Sequence, residues 1–312
     1  MLSRTADHLF WMSRYLERAE CTARMLDAHH RLGLLPRPAD DRLSGWAATL
    51  VSLGMEQSYQ RRHDAVSARA AFDFLAFDTE HPGSILSCLR QARENARAVR
   101  GAITSELWET LNTTYLDSRA FGPALPEAER GEFLEWVKYR AHLARGVTLG
   151  TMQRDEALCF TRIGTHLERA DSTTRMLEAR WRDPGGQGER LTEEASEWSV
   201  LLQAMSAFET YRRIARTRVA PRLVTQLLLM RADVPQSVHR CLDELQEDLA
   251  TVANSRSEET VRRAGELHSQ FHFGQFDEMV ADGVTGLLDR FQQRLRDLGS
   301  RIAEDFLVPR ST

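Results

Sequence analysis

Residues 16–28 read LERAECTARMLDA and residues 167–179 read LERADSTTRMLEA, identical at nine of thirteen positions. Two further landmarks return in the same order. Trp46, Leu50, Tyr59 and Arg61 reappear as Trp198, Leu202, Tyr211 and Arg213, an offset of 152. Pro82, Ser84, Ile85, Cys88 and Leu89 reappear as Pro235, Ser237, Val238, Cys241 and Leu242, an offset of 153. Three motifs at offsets of 151, 152 and 153 imply an internal duplication, with one copy in residues 1–150 and the other in 151–312. The period far exceeds the roughly 20 to 50 residues of a solenoid unit, so each copy is a multi-helix bundle.

The pattern within each copy is helical. Leu9, Met12, Leu16, Ala19, Ala23 and Leu26 step by three and four and predict a helix over about 5–32. A break at Leu35–Asp40 follows, then a second helix over about 43–62, a third carrying Phe72, Leu75 and Phe77, and a fourth starting at Pro82, where a missing amide donor costs nothing. A short segment near Leu107 and a long helix from Glu127 to about Leu149 complete the copy. In the second copy the break is the Gly-rich run Asp183–Gly188, which predicts an exposed loop. No strand precedes it and no phosphate-binding motif follows. With no alternating strand pattern, the expected architecture is all-α: a pseudo-twofold helical bundle of two copies of about six helices each, sharing one core.

The bulk composition is that of an ordinary globular protein: 312 residues, 42% apolar, net charge -4 with both signs interspersed. There is no cationic footprint for nucleic acid. The opening MLSRTADHLFWM carries early charge and no long apolar run, which predicts neither leader nor membrane anchor and a cytoplasmic location. Four cysteines without a Cys-x-x-Cys spacing make neither a disulfide framework nor a zinc knuckle. Cys88 and Cys241 read as small buried hydrophobes.

The chemistry centres on Glu17 and Arg18 and their repeats Glu168 and Arg169. Adjacent helix residues do not face each other, so Glu17 is not there to pair with Arg18. Both flank the apolar stripe and need partners on another element. If the first helices of the two copies pack antiparallel about a twofold, Glu17 meets Arg169 while Arg18 meets Glu168, in a reciprocal contact. The same four residues are the candidates for catalysis. Glu20 with Arg24 and Asp171 with Arg175 are i,i+4 pairs that read as helix support on an exposed face.

The copies differ after Pro82. Arg93, Glu94, Asn95, Arg97 and Arg100 align with Gln246, Glu247, Asp248, Ala250 and Ala253. At i, i+4, i+7 spacing the three arginines form a cationic strip suited to carboxylate or phosphate groups, or one that is solvated or paired with internal acids. This asymmetry places a substrate- or partner-binding site in the first half. His268 with His272, and Asp27 with His30, have metal-ligand spacing, but neither belongs to a complete set and the chain has no Glu-x-x-His. No metal, cofactor or nucleophile is expected.

The opening MLSRTADHLFWMSRYLERAECTARMLDA, the run FLAFDTEHPGSILSCLRQARENARAVR at 74–100 and the run FTRIGTHLERADSTTRMLEA at 160–179 resemble the bacterial alpha-E family, nearly end to end. That resemblance implies an all-helical protein with a Glu-Arg motif that partners a circularly permuted ATP-grasp ligase. Its role would then be accessory, in making or processing a peptide or amide. The other reading is an enzyme with Glu17 or Glu168 as acid or base. A deep pocket converging on these side chains favours the enzyme, and an apolar surface patch favours the partner.

Overall fold

A computed structural model describes residues 1–33, 39–182 and 191–308, which contain helices and no strand. The first half carries α1 (Ser3–Gly33), α2 (Ala39–Ser52), α3 (Glu56–Gln60), α4 (Ala68–Ala76), α5 (Ile85–Ala98), α6 (Ser105–Ser118) and, after a 3-10 turn at Glu127–Glu129, α7 (Arg130–Thr151). The second carries α8 (Glu156–Arg182), α9 (Leu191–Ala204), α10 (Phe208–Ala215), α11 (Pro221–Met230), α12 (Val238–Thr251), α13 (Glu258–Phe273), α14 (Phe276–Met279) and α15 (Val284–Phe306). The expected breaks at Leu35–Asp40 and Asp183–Gly188 fall largely or wholly on 34–38 and 183–190, outside the described residues. No helix among the described residues is long and apolar enough to cross a membrane.

One local rule adds a helix to the six per copy that periodicity predicts, and another moves a helix start. The segment read as one helix over 43–62 is split into α2 and α3 by Gly54, whose φ of 68° lies in the left-handed region. A Cβ there would meet the Arg175 guanidinium at 2.4 Å. Ser206, 152 positions later, takes the same conformation at φ 50° between α9 and α10 and accepts a hydrogen bond from Arg24. The helix expected to begin at Pro82 begins instead at Ile85. Ser84 is its N-cap and accepts from the Ser87 amide at 3.2 Å, which leaves Pro82 in the preceding turn. Ser237 caps α12 likewise, accepting from the Arg240 amide at 3.1 Å.

α1 packs on α8 more extensively than any other helix pair. The two run parallel, which corrects the antiparallel arrangement expected from the pairing of their charges. Ser13 abuts Gly164, Arg14 reaches Glu168, Glu17 reaches Arg169 and Cys21 meets Ser172, so residue numbers rise together along both helices. Six helices intervene between them, and connectivity therefore sets no direction. The backbones approach closely at Gly164, where a Cβ would lie 2.3 Å from the Phe10 carbonyl oxygen and from the Ser13 hydroxyl.

The larger apolar cluster draws on α1, α6 and most of the second half, the smaller on α1, α2, α4, α5 and α7. Leu16 and Leu53 pack against both and join them across the middle of the chain. Cys88 and Cys241 are fully buried free thiols, as read from the sequence, and burial pushes both up to about 12.

The closeness of α1 and α8 gives a direct test. Gly164→Ala forces a methyl group into backbone and should destabilise the chain by about 1–3 kcal/mol in denaturant melts. Gly146→Ala, in α7 with open space around it, should be neutral or gain up to about 1 kcal/mol from helix propensity. Equal behaviour of the two variants would contradict the packing.

Candidate functional site

Burial of the apolar stripe of α1 against α8 carries the flanking charges inside, and each finds its partner on the other helix. Arg169 donates to Glu17 through Nε at 2.7 Å and Nη2 at 2.9 Å. Arg18 donates to Glu168 through Nε at 2.6 Å and Nη2 at 3.0 Å. Both are bidentate and reciprocal, the pairing expected from the repeat. Two arginines not singled out in the sequence complete the network. Arg14, one turn before Arg18 on the same face, donates to Glu168 at 2.7 Å, and Arg145 of α7 bonds Glu17 at 2.9 Å and also Glu20. Glu20 is 1% exposed, so its pair with Arg24 is not the surface support that i,i+4 spacing suggests. Asp171, paired with Arg175 at 2.9 Å, is also buried.

Burial alone would raise both carboxyl pKa values. The guanidiniums of Arg169 and Arg145 around Glu17, and of Arg14 and Arg18 around Glu168, outweigh it and hold each group at about 2. His166, on the same face of α8, is kept neutral first by burial and then by Arg169.

Glu17 and Arg169 also form part of the floor of a cleft of about 880 Å³ between α1, α6, α7, α8 and α12. Of α7, Arg145, Thr148 and Leu149 line it. The α12 wall carries Asp248, which sits 3.1 Å from the Arg162 guanidinium and beside the Cys159 thiol. Burial raises Asp248 to about 7, with Arg162 offsetting only part of the penalty. Arg162 also bonds Glu244. Asp248 aligns with Asn95 and was legible only as a difference between the copies. Its titration depends on a cleft built by four other helices.

The arginine strip is not the open cationic surface its spacing suggests. Arg93 and Arg97 share Glu94, whose carboxyl is held low by Arg93 and, after burial, by Arg97. Arg93 also donates to Asn112 at 3.1 Å and lies over Trp108 and Tyr115. Arg100 lies beyond the end of α5 and stacks on Trp108 at 4.7 Å, so the i+7 position is not helical. Asn95 is bonded to His8 at 2.8 Å. Of the two pairs with metal-ligand spacing that the sequence sets aside, Asp27 is taken by Lys138 at 2.7 Å and Arg31 at 3.1 Å. His268 and His272, read as an incomplete set, gain two further donors from α12, His239 and Asp243.

Two measurements test the network. Glu17→Ala strands Arg169, while Arg145 keeps Glu20, and should cost about 3–5 kcal/mol; the Glu17→Ala, Arg169→Ala double variant should cost about 1–3 kcal/mol less than the sum of the singles. Strict additivity would contradict the coupling. Because the folded pKa values of Glu17 and Glu168 lie below the ordinary 4.5, their contribution is complete above pH 4.5 and lost as pH falls toward 2. It amounts to roughly 3 kcal/mol for each group. Denaturant melts from pH 6 to 2.5 should show that loss, and a flat profile below pH 4.5 would refute it.

The chain is 27% identical over 324 residues to uncharacterised proteins of Mycobacterium bovis and of Mycobacterium tuberculosis strain CDC 1551, and 26% identical to one of strain H37Rv. The alignments cover 95% of this chain and 36% of each relative, so the chain spans about a third of the length of the curated relatives it matches. No solved structure matches. Residues 1–307 match Alpha-E, described as a predicted alpha-helical domain with a conserved ER motif, and with Leu-Glu-Arg-Ala at both 16–19 and 167–170 the chain belongs to that family.

Proposed function

We propose that residues 1–150 and 151–312 are two copies of one helical unit, related by a pseudo-twofold axis running along α1 and α8. In such a rotation each residue of α1 lies level with its own counterpart on α8, so each glutamate reaches the arginine beside that counterpart. The matched Gly54 and Ser206 turns, the matched Ser84 and Ser237 caps and the two reciprocal bridges all support this reading.

We infer that the chain is a cytoplasmic accessory or partner subunit of an ATP-grasp amide or peptide ligase system. It binds the ligase, an acidic peptide or amino-acid substrate, or both. The observation that carries this over catalysis by Glu17 or Glu168 is the saturation of both carboxylates by bidentate arginines. A carboxyl held near 2 is fully ionised at neutral pH and a weak base, so it serves neither as acid nor as base. The circularly permuted ATP-grasp partner comes from the family resemblance. It fits the mycobacterial relatives, in which the matching region is about a third of a longer chain and sits beside further sequence. Arg145 of α7 and Arg162 of α8 line the cleft together with Arg240, Glu244, Glu247 and Asp248 of α12, and a lining of both signs suits an amino-acid or peptide group.

Binding to the ATP-grasp protein, followed by calorimetry with and without ATP and at two salt concentrations, tests this. Replacing Arg93, Arg97 and Arg100 with alanine should weaken binding, because Arg97 is largely exposed, and should change stability by less than about 1 kcal/mol per exposed charge. Unchanged binding would move the contact away from α5. One observation favours a second reading. Asp248 is the cleft carboxyl poised near neutrality, so any peptide or amide turnover by this chain alone should survive Glu17→Gln and be lost in Asp248→Asn. Loss in Glu17→Gln at full fold would return the role to the Glu-Arg motif.

A further inference from the structure

We propose that α12 and α13 hold a divalent transition-metal site, of the zinc class, formed by His239, Asp243, His268 and His272. Each helix supplies an i,i+4 pair, which puts both side chains on one face. The helices are consecutive and antiparallel, so His239 lies level with His272 and Asp243 with His268. One ligand atom from each of the four lies within 4.8 Å of those from the other three. His268 Nε2 is 2.9 Å from Asp243 Oδ1, His239 Nε2 is 3.3 Å from His272 Nδ1, and His239 Nε2 is 3.5 Å from Asp243 Oδ1. A tetrahedron with ligand bonds of about 2.0–2.1 Å has edges of about 3.3 Å, so these separations need little movement to close on one ion.

The chemistry of the donors selects the ion. Three imidazoles and one carboxylate suit zinc and its neighbours, whereas calcium and magnesium take oxygen donors. The ring of His239 is already oriented. Its Nδ1 lies 2.9 Å from the Met230 carbonyl oxygen, and the N–H it donates there leaves the Nε2 lone pair facing the other three groups. His239 is buried and fixed, Asp243 and His268 are half-buried, and His272 is exposed, so an ion can enter from the outer side. Four protein ligands make a closed set, which points to a clamp between α12 and α13 and not to a catalytic centre. The opposite face of α12 carries Glu244 and Asp248 into the cleft, so the clamp also sets the rotation of that wall.

The first half is an internal control. The aligned positions are Leu86, Arg90, Tyr115 and Arg119, which cannot form such a site. One ion per chain is therefore expected.

The test uses the full chain made without a histidine tag and stripped with a chelator. Titration with Zn²⁺ by calorimetry, and with Co²⁺ followed by visible absorption, should saturate at one equivalent, with the intense bands of four-coordinate Co²⁺. Zn²⁺ should raise the melting temperature of the parent. His268→Ala and His272→Ala, at partly exposed positions, should keep the helical circular dichroism, weaken Zn²⁺ binding about 100-fold or more, and lose the thermal shift. His142→Ala should match the parent. Failure to saturate at one equivalent, or binding that survives His268→Ala and His272→Ala combined, would overturn the site.

Discussion

Two carboxylates held between parallel helices set the frame of this protein. Glu17 and Glu168 are each removed from water, a transfer that costs several kcal/mol for an unpaired ion, and each is met by two bidentate guanidinium bonds plus one from a further arginine. Replacing such a network with apolar side chains need not lose stability, so its contribution is best read in register. If α1 slid by one turn against α8, Ser13 would leave Gly164, and the bidentate pairing of Glu17 with Arg169 would be lost. The ionic contact and the close backbone approach therefore select one alignment of the two longest helices, and the other helices pack around them.

The same contact restricts chemistry. A pair of carboxylates near a cleft is a familiar acid-base arrangement, but function needs one of them to titrate near the working pH. Here the arginines drive both the other way. The group that burial moves toward neutrality is Asp248, whose one close arginine is shared with Glu244. In this cleft the saturated carboxylate belongs to α1 and the carboxyl that burial brings near neutrality belongs to α12.

Much of this was legible before any coordinates. The 151-residue offset between the Leu-Glu-Arg-Ala segments led to the reciprocal pairing, because unlike neighbours on one helix must look to its counterpart for partners. Helix direction is not legible, since a crossing of Glu17 with Arg169 is compatible with either sense and it takes contacts on both sides of it, Ser13 with Gly164 and Cys21 with Ser172, to decide it. The cleft is hidden in the sequence because its lining comes from five helices that no spacing rule within one helix brings together. His268 and His272 looked incomplete because their other two partners lie some 25 to 33 positions earlier, beyond any spacing rule for one helix. Glu20 looked exposed because i,i+4 logic sees its own helix and not Arg145 on α7.

α5 and α12 share the serine cap and the buried cysteine but differ at Leu86, Arg90 and Asn95 on one and His239, Asp243 and Asp248 on the other. On α12 His239 and Asp248 are themselves buried, so they are held by polar partners, the Met230 carbonyl and the Arg162 guanidinium, toward α13 and toward the cleft. On α5 the corresponding charge is largely engaged within the chain, because Arg93 and Arg97 share Glu94 and Arg100 stacks on Trp108, which leaves the exposed part of Arg97 as the strip's outward cation.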